Sequence, residues 1–155
     1  AKAPRIQQVL RDVRQRLGNF DLGIFGGMNL GEARLWLTCF KGVGPKTAPC
    51  VLLFSLNLPA LPVDTHVHRV SLRLGLVPPG TTANRAHELL EAIVPDERIF
   101  DAHMLLIRHG RRTCVARRPR CERCLLVQWC PSTEVFLHGR SERQERRGVD
   151  DDQAH

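Results

Sequence analysis

Cys114, Cys121, Cys124 and Cys130 stand in a C-x6-C-x2-C-x5-C array inside a basic stretch of the chain. Four thiols so close together are better suited to holding a metal than to packing, because thiolate sulfur is a strong ligand for zinc and for iron–sulfur clusters. An all-cysteine set with no matching histidine is compatible with either centre, and spacing alone does not separate them. A pair of disulfides is the third alternative. A second segment with chemical potential is Phe40-Lys41-Gly42-Val43-Gly44-Pro45-Lys46-Thr47-Ala48. Its glycines permit a sharp turn and close approach of another molecule, and amides at the start of the following helix form a nest for anions, phosphate above all. An ordinary helix–turn–helix corner would read the same way.

These residues need a frame. The chain has 155 residues, 43% of them hydrophobic, enough for one folding unit. Lys and Arg number 23 against 16 Asp and Glu, a net charge of +7 concentrated near the cysteines, which fits a polyanionic partner. No run of eighteen apolar residues and no signal segment is present, so an intracellular protein with no membrane association is expected. Cys39 and Cys50, outside the array, are read as reduced core residues.

Ile6, Val9, Leu10, Val13 and Leu17 recur at helical spacing, with Arg5, Arg11, Arg14 and Arg16 on the other faces, and predict an amphipathic helix ending near Gly18. A glycine-rich connection spans Gly23 to Gly27. Helices follow at about Leu30 to Phe40 and Lys46 to Leu56, the latter apolar nearly all round and therefore central. Asp64 is the expected N-cap of a helix to about Leu74, and Thr82 of one through Ile93. Another helix is expected from about Glu97 to His109, and short helical turns around the cysteines. No segment alternates as a strand would, so the fold class is all-α. The division expected is a helical part over 1–109, a metal loop over 110–131 and a polar, disordered tail over 132–155. Trp36 and Trp129 are assigned to the core.

The Phe40–Ala48 string resembles the helix-hairpin-helix of the endonuclease III family of base-excision DNA glycosylases. The family's catalytic aspartate lies in a Val-Asp-Thr-His string, present here as Val63-Asp64-Thr65-His66. A helix ending His109-Gly110-Arg111 then runs into Thr113-Cys114, and the cysteine spacing is the one this family uses for a [4Fe-4S] cluster. The resemblance covers about residues 5–130 and implies a partial six-helix barrel with a cluster loop. It favours the cluster over zinc at Cys114, Cys121, Cys124 and Cys130.

By the same resemblance, Lys46 is the nucleophile and Asp64 the essential carboxylate. The chemistry is reasonable on its own terms. The positive end of a helix and partial burial both disfavour an ammonium, so an amine in the first helical turn is more readily neutral and able to attack a sugar C1′. Asp64 would stabilise the cationic sugar and assist proton transfer. The alternatives are a lysine that contacts phosphate and an aspartate that only caps a helix. Relatives that remove adenine or mismatched thymine usually lack this lysine, so its presence implies AP lyase activity. The chain has no Tyr to substitute for it. The implied substrate is an oxidised pyrimidine in double-stranded DNA, or an abasic site, and the protein is expected to be a cytoplasmic, nucleoid-associated monomer.

Lys41, Gly42, Val43, Gly44, Thr47 and His66 are expected at the DNA, together with Arg117, Arg118 and Arg120 of the loop between the first two cysteines, which a cluster would hold as a fixed cationic surface. His66, His68, His103 and His109 are read as core or DNA-facing residues and not as a second metal site. Two departures stand out. The family's barrel begins well before the equivalent of Ala1 and includes residues that wedge into the duplex when the base is flipped. The lack of an initiator Met favours a fragment, and a non-catalytic DNA-binding module is the alternative function. Pro49, inside a helix, is also unusual, although its missing amide falls among first-turn donors.

Overall fold

The structure is a computed structural model that describes residues 2–137. Among the described residues the main α-helices run in the order α1 (Lys2–Leu17), α2 (Leu30–Thr38), α3 (Thr47–Leu56), α4 (Thr65–Arg73), α5 (Ala83–Ile93) and α6 (Ile99–Arg112). Among the described residues there is no strand, and no helix is long and apolar enough to cross a membrane.

The caps explain the boundaries. Asn29 and Glu32 form a reciprocal capping box at α2, Asp64 caps α4 through its side chain, and Thr82 caps α5 by accepting from the Arg85 amide. Gly18 and Gly75 take positive φ angles just beyond α1 and α4, where only a residue without a Cβ escapes the left-handed penalty. Pro49 is the third residue of α3 and is fully buried. Its lost N–H is one that a first helical turn leaves unpaired anyway, so the helix accommodates it.

Side chains form two packed clusters. One contains Phe25, Ala33, Leu37, Ala48, Leu52 and Ala60; the other contains Leu53, Leu61, Val63, Val67, Val77, Ala86, Leu90 and Ile99. Helix α3 feeds both, through Leu52 and Leu53, and the extended stretch after it passes from one at Ala60 to the other at Leu61. Glu91 fastens that crossing. Its Oε1 accepts from the Leu61 amide at 2.8 Å and from Arg34 Nη2 at 2.7 Å, so one carboxylate joins α2, α5 and the segment leading to Asp64.

Two expectations, those for Trp129 and Cys39, need correction. Gly23–Gly27 is a 3-10 turn that buries Phe25, because the apolar ring among the glycines is drawn into the α2–α3 cluster. Trp36 does pack, with its ring 5.1 Å from Phe25 and 4.8 Å from Phe40, but Trp129 is 67% exposed on a single turn of 3-10 helix too short to turn it inward. Cys39 is exposed at the C-cap of α2, since the helix ends before it could face the cluster. The apolar stripe of α1 is only partly covered, with Ile6 59% and Leu10 48% exposed. The part of the expected tail from residue 138 onward lies outside the described residues.

Candidate active site and cysteine loop

Helices α2 and α3 with the turn between them make the hairpin. Gly42 has φ +100°, a conformation that side chains rarely adopt. The Val43 amide donates to Phe40 O at 3.0 Å, and the amides of Thr47 and Ala48 both donate to Gly44 O, which closes the turn onto α3. Lys41, Lys46 and Thr47 are exposed around it.

Lys46 is the N-cap of α3, one position before the helical turn expected for it, and makes no side-chain capping bond. Its exposure corrects the expectation of partial burial. The capping position sets Lys46 just before the apolar first turn that contains Ala48 and Pro49. Asp64 is half-buried at the start of α4, and its Oδ1 accepts from the amides of His66 and Val67 at 2.8 Å each. Both charges act on one thiol. Cys50, one turn along α3 from Lys46, has its thiol pushed up by burial; the charge of Lys46 opposes this and that of Asp64 adds to it. Cys50 is therefore a half-buried neighbour of the amine and the carboxylate, not the core residue expected. His103, buried with Nδ1 2.9 Å from Pro62 O, also lies in the field of Asp64; burial lowers its pKa, and the carbonyl and the carboxylate oppose that shift.

His68 and His66 have structural partners. His68 Nε2 lies 2.7 Å from Thr81 O, and His66 Nδ1 lies 3.2 Å from Arg69 Nη2. His66 is thus half-buried between α4 and α6 and braces an arginine beside the carboxylate's helix. His109 lines the cysteine cavity and has its pKa lowered by burial.

All four cysteines of the array line one cavity, together with Arg73, His109, Pro119 and Phe136. The Cys121 thiol is pushed up by burial first and then by Cys114, Cys124, Cys130 and Glu122, so the sulfurs share one electrostatic neighbourhood. Among the described residues, no three His, Cys, Asp or Glu side chains converge closely enough for a single metal ion. Four cysteine sulfurs around one cavity are, by donor chemistry, suited to an iron–sulfur cluster or to zinc.

Two arginines on one face of α4, not singled out in the sequence, bind this loop. Arg69 donates from Nε to Cys114 O at 3.0 Å and from Nη2 to Gly110 O at 2.8 Å. Arg73 donates from Nη1 to Val115 O at 2.8 Å and to Cys114 Sγ at 3.3 Å, and from Nη2 to Ala116 O at 2.7 Å; its guanidinium lies 4.4 Å from the Phe136 ring. Their four-residue spacing on a helix that starts at Asp64 was the available signal. Arg117, Arg118 and Arg120 are exposed, as a cationic loop requires, and Pro119 between them is buried.

An all-α chain with a glycine hairpin, a lysine at the start of the second hairpin helix, a carboxylate-capped helix and a four-cysteine loop has the helix-hairpin-helix fold of DNA glycosylases. No family model matches it. It is 42% identical to endonuclease III of Escherichia coli (strain K12) over 103 residues, covering 66% of this chain and 48% of that protein. With endonuclease III of Thermotoga maritima it shares 42% over 129 residues, covering 83% and 56%. A solved structure of a trapped endonuclease III–DNA covalent intermediate superposes with a TM-score of 0.71 at 32% identity, covering 86% of this chain and 58% of that one. The chain belongs to the endonuclease III family. It spans about half the length of the curated relatives it matches.

Proposed function

We propose that this chain carries the reacting groups of a base-excision DNA glycosylase with AP lyase activity, acting on oxidised pyrimidines in duplex DNA. The observation that supports this most is that the charges of Lys46 and Asp64 both act on the half-buried Cys50 thiol, one turn along α3 from Lys46. Neutral Lys46 Nζ forms a bond to C1′ as the glycosidic bond breaks and the base leaves with the electron pair. Asp64 stabilises the cationic sugar and assists transfer of the amine proton. Opening of the sugar ring gives a C1′ iminium. Loss of a C2′ proton then expels the 3′ phosphate by β-elimination.

Cys114, Cys121, Cys124 and Cys130 would hold a [4Fe-4S] cluster, whose contribution is to fix the loop rather than to react. Arg117, Arg118 and Arg120 of that loop, with Lys41, Gly42, Val43, Gly44 and Thr47 of the hairpin, contact backbone phosphates; His66 acts behind them by bracing Arg69. Borohydride trapping on an abasic-site duplex tests the reading. A covalent adduct lost in Lys46→Ala supports it, whereas DNA binding with no adduct assigns a non-catalytic module. Visible absorbance with metal analysis separates a brown cluster from colourless zinc.

A further inference from the structure

The basic face of α1 is unused by the site described above, yet one of its arginines lies across the hairpin. A Cβ built on Gly42 would sit 2.3 Å from Arg5 Cδ, 2.8 Å from Cγ and 3.1 Å from Nε. The Arg5 stem therefore occupies the space that a side chain at Gly42 would fill. Glycine is needed there twice, for its φ of +100° and for this passage. Eleven residues on, close to three full turns, Arg16 leans from the same face of α1, its guanidinium 4.9 Å from the ring of buried Phe40. One helix face is thus seated on both ends of the short segment that begins the hairpin.

Arg5 is exposed, and among the described residues it has no carboxylate partner. Its stem passes the glycine turn, a segment in which Lys41 and Lys46 are exposed as well. A bidentate planar cation held by its stem at a glycine turn is well suited to a phosphate diester.

We propose that Arg5 is a phosphate-binding residue of the hairpin, so that the DNA backbone runs over the first turns of α1 as well as over Gly42–Gly44. This rests on the DNA-binding reading above and extends it to an element that reading leaves out. Binding of a fluorescent duplex carrying a tetrahydrofuran abasic analogue, followed by anisotropy over a range of KCl concentrations, tests it. Arg5→Gln keeps most of the stem over Gly42 and removes the charge. It should reduce the slope of log K against log salt by about 0.9, the loss of one phosphate contact, with an unchanged thermal midpoint. Arg14→Gln makes the same charge change about half a turn round the helix and should leave the slope close to wild type. Arg5→Lys should restore the slope while binding more weakly than arginine. A slope unchanged in Arg5→Gln, or reduced equally in Arg14→Gln, overturns the proposal while the DNA-binding reading stands. A wild-type chain that does not bind the duplex removes both.

Discussion

Asparagine at position 64 separates the two tasks assigned to this residue. The aspartate Oδ1 accepts two amide hydrogens at 2.8 Å and caps α4. Loss of such a cap costs about 1 kcal/mol, and the attraction of a carboxylate to the helix end adds about 0.5 kcal/mol. Asp64→Ala removes both, about 1.5 kcal/mol, which for a domain of this size lowers the midpoint by about 6 °C. Asp64→Asn keeps an oxygen acceptor of equal capping strength and loses only the charge, about 2 °C. Chemistry should follow the opposite pattern. An amide cannot take up a proton or balance a cationic sugar, so both variants should lose about a hundredfold or more in the rate of borohydride-trapped adduct. Calorimetry and single-turnover trapping on the same preparations read the two effects. Asp64→Asn trapping at the wild-type rate would refute the catalytic assignment, and melting as low as Asp64→Ala would refute the cap calculation.

Two further outcomes follow from the packing. His87 and His103 are buried with Nδ1 2.8 Å from Leu61 O and 2.9 Å from Pro62 O, and burial lowers both pKa values, a shift the carbonyls oppose. The unfolded chain therefore binds more protons near and below the ordinary histidine value of about 6.5. The stability these residues contribute is present above that pH and lost as it falls through the depressed folded values. Urea midpoints should decline from pH 7.5 to pH 5.5, and the double variant His87→Gln, His103→Gln should flatten that decline. Gly110 lies where α6 crosses α4: a Cβ there would meet His66 Cβ at 3.0 Å and Val70 Cγ2 at 3.1 Å. Gly110→Val should destabilise by about 2–3 kcal/mol in urea unfolding, because the added carbons press on a buried helix; an unchanged midpoint would show that the helices separate freely.

Much of this arrangement was legible because it is local. The caps at Asp64 and Thr82 are written in one residue and the next three, and the helices they start lie where apolar spacing placed them. The cysteine array and the glycine hairpin were equally readable, since each is contiguous in sequence. What escaped depends on contacts remote in the chain. The spacing of Arg69 and Arg73 puts both on one helix face, but it does not announce that they grip carbonyls more than forty residues downstream. The exposure of Cys39, Trp129 and Lys46 follows from which face each helical turn presents, and short or terminal turns carry too few residues to reveal a face. Cys50 shows the converse: its position one turn after Lys46 was visible, but the approach of Asp64 from another helix was not.

Lys46 belongs, through Val43, Ala48 and Leu52, to one packed cluster, while Asp64 stands between Val63 and Val67 of the other. The gap between Lys46 and Asp64 is thus a joint tolerance, not a property of either half. Glu91 is the rivet at that joint. Loosening it by Glu91→Ala need not unravel either cluster to matter, since a small slip between two intact bodies would leave the proposed phosphate contacts in place and still spoil the alignment on which the proposed chemistry depends.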